Sequence, residues 1–81
     1  MSQRISTADQ VGHILSSRRK ALKLSQQEVA SKLGIVQSRL STLEEDSSRL
    51  TLDRLIALTN LLGLELSLQI KATDQAQTSE W

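Results

Sequence analysis

The chain has 81 residues, which at roughly 100–200 residues per domain leaves room for one small domain and excludes a separate catalytic one. Apolar residues make up 38 %, leucine foremost, while Phe, Tyr, Pro and Cys are absent and Trp81 is the only aromatic. The core is therefore aliphatic, and disulfides and cysteine-based zinc sites are ruled out. The net charge of +1 hides a segregation: residues 1–17 are neutral, residues 18–39 carry six cations against Glu28 alone, and residues 40–81 carry three cations against seven acids.

Residues 1–7 read as an N-terminal lead-in. Thr7 with Gln10 three residues on predicts a capping box, and Val11, Ile14, Leu15 and Leu22 then recur at helical spacing to about Lys23. Ser25 and Glu28 repeat the box and open a short second helix with Val29, Ala30 and Leu33 on its apolar face. Gly34 stops that helix by taking the left-handed conformation, and Ile35 plugs the turn. From about Val36 to Glu45, Val36, Leu40 and Leu43 face inward while Ser38, Ser41, Thr42 and Glu45 project the other way, a third helix with a polar outer face.

Glu44 to Ser48 reads as a polar connector. Thr51 caps a fourth helix of about Leu52–Leu62, with Leu52, Leu55, Ile56 and Leu62 as its main stripe and Gly63 as its end. Leu64 to Ile70 then alternates apolar and polar at every step, the period of a strand with one buried face. A solitary strand leaves its amides and carbonyls unpaired, and a domain this small needs a staple. Leu64, Leu66, Leu68 and Ile70 are accordingly expected to pair across a homodimer. Residues 8–70 form the domain and residues 71–81 a polar, flexible tail.

Two short helices joined at Gly34 have the helix-turn-helix spacing, in which the second helix enters the DNA major groove. The segment Leu24 to Glu44, LSQQEVASKLGIVQSRLSTLE, resembles the phage-repressor-like helix-turn-helix family over about residues 8–62. The resemblance implies an all-α, repressor-like fold of four to five helices, closed here by one C-terminal β-strand pairing across the dimer. It places Gln26 at the DNA backbone and makes Gln37 and Ser38 base readers, in keeping with the bidentate match of Gln to adenine. Arg39 joins the base readers, and Arg19, Gln27, Ser41 and Thr42 join Gln26 as phosphate candidates, because phosphate contacts supply most affinity. Two positions depart from the family: Val36 stands where relatives often carry a polar or cationic residue, and Lys23 where they often carry glycine, which predicts a left-handed backbone at a residue with a Cβ.

The strand after helix four and the final Glu80-Trp81 resemble the HipB-like antitoxins, autorepressors that pair with HipA-type Ser/Thr kinase toxins. That resemblance implies a homodimer that represses its own operon at an inverted-repeat operator on double-stranded DNA and neutralises a kinase, with Trp81 as the toxin-docking residue. The alternatives are a stand-alone repressor and a protein-interaction adaptor that keeps the helix-turn-helix as a scaffold. No apolar run nears the roughly 18 residues of a membrane span, so a cytoplasmic protein, nucleoid-associated on its operator, is expected. Enzyme activity, metal ions and cofactors are not: His13 sits among polar neighbours, no Gly-x-Ser-x-Gly elbow occurs, and Glu44-Glu45-Asp46 lacks the spacing of a calcium loop and reads as a solvated helix end.

Overall fold

Capping chemistry sets the helix boundaries. In a computed structural model that describes residues 3–71, helix α1 spans Ala8–Ala21, α2 Gln26–Leu33, α3 Gln37–Glu45 and α4 Leu52–Leu61, with a single 3-10 turn at Ser47–Arg49. Ahead of α1 the Thr7 amide donates to Gln10 Oε1 at 3.0 Å. Before α2 the box is complete: the Glu28 amide donates to Ser25 Oγ at 3.0 Å and the Ser25 amide to Glu28 Oε1 at 2.8 Å. Thr51 Oγ1 takes the Arg54 amide at 3.2 Å and starts α4. Val36 caps α3 with an extended backbone but no side-chain hydrogen bond, leaving out a contact that a Ser or Asp there would supply at about 1 kcal/mol.

Helix α2 ends as expected. Gly34 has φ +76°, and the Ile35 amide donates back to Ala30 O at 3.0 Å, closing the turn into α3. Lys23 does adopt the left-handed backbone, with φ +60°, and is the one non-glycine residue to do so among the described residues.

The core sits where the four helices meet. Leu15 of α1, Val29 and Ala30 of α2, Leu40 of α3, and Leu58 and Leu62 at the end of α4 are buried together, with Val11, Leu24, Leu33, Ile35, Leu50, Leu55, Leu61 and Leu64 packed around them. Helix α1 crosses α3 at Gly12, where the backbone carbonyl of Glu44 fills the space a Cβ would need. The Ser47 hydroxyl, buried in the 3-10 turn, donates to Ala8 O and ties that turn to the start of α1.

Three expectations are corrected here. The inward face of α4 is Leu55, Leu58 and Leu62, the i, i+3, i+7 set, with Leu61 beside it, while Leu52 (66 % exposed) and Ile56 (42 %) face outward. With leucines on both sides of α4, periodicity alone does not choose the face; the contact with α2 does. Val36, expected on the inner face of α3, is 68 % exposed because it precedes the first helical turn. Among the described residues there is no β-strand. Residues 64–71 follow α4 without regular structure, Leu64 resting on the core while Leu66, Leu68 and Ile70 are exposed. The tail beyond residue 71, Trp81 included, lies outside the described residues.

Candidate nucleic-acid interface

Helix α3 is held from behind by Leu40 and Leu43, both buried. Its other side carries Gln37, Ser38, Arg39, Thr42 and Glu45, all exposed, with Ser41 half-buried at the margin. The three expected base readers thus share the first turn of a helix whose N-terminus follows the Gly34 turn. Thr42 spends its hydroxyl proton on Ser38 O at 3.1 Å, which leaves its lone pairs outward. Gln27, exposed, and Gln26, half-buried, lie in the first turn of α2.

Arg19 is placed differently from the expectation. Only 8 % exposed, it directs Nε to Glu44 Oε2 at 2.8 Å, Nη2 to Glu44 Oε1 at 3.1 Å and Nη1 to Leu24 O at 3.0 Å. The side chains of both ion-pair partners are 9 % exposed. All three guanidinium nitrogens are therefore engaged inside the fold, and the geometry describes a brace between α1, α3 and the α1–α2 connection rather than a free phosphate contact. The physical reason is helical spacing: Arg19 lies one turn beyond Leu15, on the buried face of α1. Glu44, read as part of a solvated helix end, lies one turn beyond Leu40 and belongs to the same interior. That pairing of an acid and a base on two buried faces is the signal sequence reading passed over.

Other arginines are likewise occupied. Arg18 donates from Nε to Leu62 O at 2.8 Å at the end of α4, and Arg54 from Nη1 to Leu33 O at 3.3 Å at the end of α2, each serving a carbonyl that a helix end leaves without an amide. Among the cations of residues 18–39 only Arg19 is paired to an acid, so the positive field rests on half-buried Arg18 and on Lys20, Lys23, Lys32 and Arg39, all exposed.

Gln26 links the buried pair to the recognition helix. Its Nε2 donates to Glu44 Oε1 at 3.0 Å, and its Oε1 accepts from Gln37 Nε2 at 3.3 Å. Two carboxyls at helix ends sit below their usual range. Glu28 is lowered by the Ser25 amide first and the Ser25 hydroxyl second, with Lys32 adding to the effect. Asp46 is lowered chiefly by the Ser48 hydroxyl, then by the Ser48 amide and Arg49. The first is a capping effect at the start of α2, the second a local one within the 3-10 turn. An open depression between α1 and α3 is lined by Asp9, His13, Lys20, Gln26, Ser41 and Glu45 among others, and among the described residues no group of three His, Asp or Glu side chains is placed to hold a metal ion. No helix among them is long and apolar enough to cross a membrane.

A helix that presents polar side chains beyond a tight glycine turn, braced from behind by a second short helix, defines the helix-turn-helix class. The helix-turn-helix family model of the Cro/C1 type matches residues 15–69, more than half of the chain, and the chain belongs to that family. Among curated proteins none matches the chain at a significant level.

Proposed function

We propose that this chain is a sequence-specific transcriptional repressor that binds an inverted-repeat operator as a homodimer, with α3 in the major groove. The observation that carries the reading is the outward first turn of α3, where Gln37, Ser38 and Arg39 stand exposed while Leu40 and Leu43 anchor the helix from behind. Gln37 meets a base edge, Gln26, Gln27, Ser41 and Thr42 meet the sugar–phosphate backbone, and the exposed lysines supply the attraction. Gln37→Ala is expected to cost about 1–3 kcal/mol at its cognate base pair and to relax preference there alone. Binding measured on operators substituted at each position tests this. An unchanged base preference overturns the assignment of Gln37, and no salt-dependent retardation of any DNA overturns the repressor in favour of a scaffold adaptor.

The dimer is supported by the alternation of residues 64–70 and by the exposure of Leu66 (41 %), Leu68 (98 %) and Ile70 (70 %) in the single chain. Half-sites then lie about one helical turn, roughly 34 Å, apart. Replacing Leu66 and Leu68 with Lys is expected to give monomers in sedimentation; a double variant that remains dimeric places the interface elsewhere.

Within this reading the repressor is an antitoxin that controls its own operon, acts in the cytoplasm and neutralises a HipA-type Ser/Thr kinase through Trp81. The support is the strand pattern together with the Glu80-Trp81 ending, in a chain with no other aromatic. Deleting Glu80-Trp81 is expected to weaken binding to such a kinase while operator binding stays unchanged, Trp being the residue most often found as an interface hot spot. Equal kinase affinity with and without the dipeptide returns the protein to a stand-alone repressor.

A further inference from the structure

Val36 stands where a polar residue would serve the helix better. It opens α3 from an extended backbone, φ −80° and ψ 154°, and its carbonyl oxygen accepts the Arg39 amide at 3.1 Å and the Leu40 amide at 3.3 Å, so its Cα is fixed to the first turn of α3. Its side chain makes no capping bond. An isopropyl group has no acceptor for the free amides of that turn, and what it presents instead is surface: Val36 is 68 % exposed, the one exposed apolar side chain between Gln26 and Glu45. The residues that follow it, Gln37, Ser38 and Arg39, are exposed and polar. A single exposed apolar residue is ordinary on a protein surface. This one occupies the N-terminal end of the helix whose first residues face base edges when such a helix lies in the groove.

We infer that Val36 is a specificity-determining residue that selects thymine through its C5 methyl group, within one base-pair step of the base Gln37 meets. The inference rests on the proposed placement of α3 in the major groove. Burying an isopropyl group against DNA is favourable only where it meets apolar surface. Hydrogen-bond donors and acceptors line the base edges of the major groove, and the thymine methyl is the apolar group among them. A phosphate is the wrong partner, since the side chain would displace its water and return no hydrogen bond. Branching at Cβ leaves valine few rotamers to lose, so ordering takes little from the gain. The Cα atoms of Val36 and Gln37 are about 3.8 Å apart, as in any trans peptide, and base pairs repeat about every 3.4 Å, which sets the range of one step. Gln37 then reads donors and acceptors while Val36 reads a methyl group beside them.

The experiment selects binding sites from a duplex library randomised over a half-site, with the wild type and Gln37→Ala, and then replaces each thymine of the wild-type operator in turn by deoxyuridine. That change removes the methyl group and leaves every hydrogen-bonding group of the base pair in place. At one thymine per half-site it is expected to lower wild-type affinity about fourfold, the worth of one buried methyl group, and about fifteenfold when both half-sites are changed. In Val36→Ser the two bases are bound alike at that position, while the melting temperature holds or rises, because Ser supplies the missing cap. Cytosine and 5-methylcytosine placed there repeat the comparison: the wild type favours the methylated base about fourfold, and Val36→Ser does not. Methyl effects that are equal in the wild type and Val36→Ser at every thymine overturn the inference, as does a uniform drop in affinity with the thymine-to-deoxyuridine ratio intact, which a purely structural role would give. Failure of the underlying reading looks different: no sequence is enriched from the library, or Gln37→Ala leaves every preference unaltered, and the assignment of Val36 falls with it.

Discussion

Arg19→Ala is expected to destabilise the domain by about 3–5 kcal/mol, because it leaves the Glu44 carboxylate buried without its counter-charge. Against a total stability of about 5–15 kcal/mol for native domains, the variant retains little margin. The Leu24 carbonyl also loses its donor, so the connection between α1 and α2 is loosened at the same time. Thermal unfolding checks this, with the melting temperature falling about 4–8 °C for each kcal/mol in a domain of this size. A residue that served only as a phosphate contact would behave otherwise: stability would hold, while operator affinity and the salt slope would fall, the slope by about 1. Removing both charges with Arg19→Met and Glu44→Leu is expected to recover part of the loss, since replacing a buried pair by apolar groups of similar volume costs far less than orphaning one member. Wild-type thermal stability in Arg19→Ala would contradict the brace.

Gly12→Ala is expected to destabilise by about 1–3 kcal/mol or more, the cost of forcing atoms into a packed interface. The added Cβ would overlap the carbonyl oxygen of Glu44 and stand 3.1 Å from its carbonyl carbon and 3.3 Å from Ser47 Oγ. Its main obstacle is backbone, which cannot rotate aside as a side chain can, so α1 and α3 must separate. An isolated helix would respond in the opposite sense, gaining about 1 kcal/mol from Ala over Gly. Urea denaturation therefore separates the two cases by sign: a stabilised Gly12→Ala would mean that α1 and α3 do not approach closely. Because the displaced group is the backbone of Glu44, the same substitution also disturbs the carboxylate that pairs with Arg19 and accepts from Gln26.

Much of the fold was legible in the chain because the information is local. Ser25 with Glu28, Thr51 ahead of Leu52, and Gly34 and Gly63 at helix ends act on backbone groups within four residues, and the helices start and stop close to where these residues predict. The exposed first turn of α3 belongs to this category too: with Leu40 and Leu43 inward, Gln37 and Ser38 fall on the outer face of the helix. Lys23 takes a left-handed turn in the connection between α1 and α2, an expectation that came from the family resemblance rather than from a local rule.

What the sequence could not decide by itself is which of several equivalent faces is buried and what a charged side chain meets there. Leucines surround α4, and only its contact with α2 puts Leu58 and Leu62 inside and Leu52 outside. Arg18, Arg19 and Lys20 read alike as a basic run, yet 100° of helical rotation per residue sends the first to the end of α4, the second to a buried carboxylate and the third to solvent. Glu44 lies 25 residues from Arg19 and Gly12 lies 32 from Glu44, so neither the brace nor the close crossing has a local signature. Local rules determined the helices and the turn of this protein; the packing of those helices alone decided which arginine is structural and which glutamine is tied to the buried ion pair, because burial and hydrogen-bond partners exist only once distant segments meet.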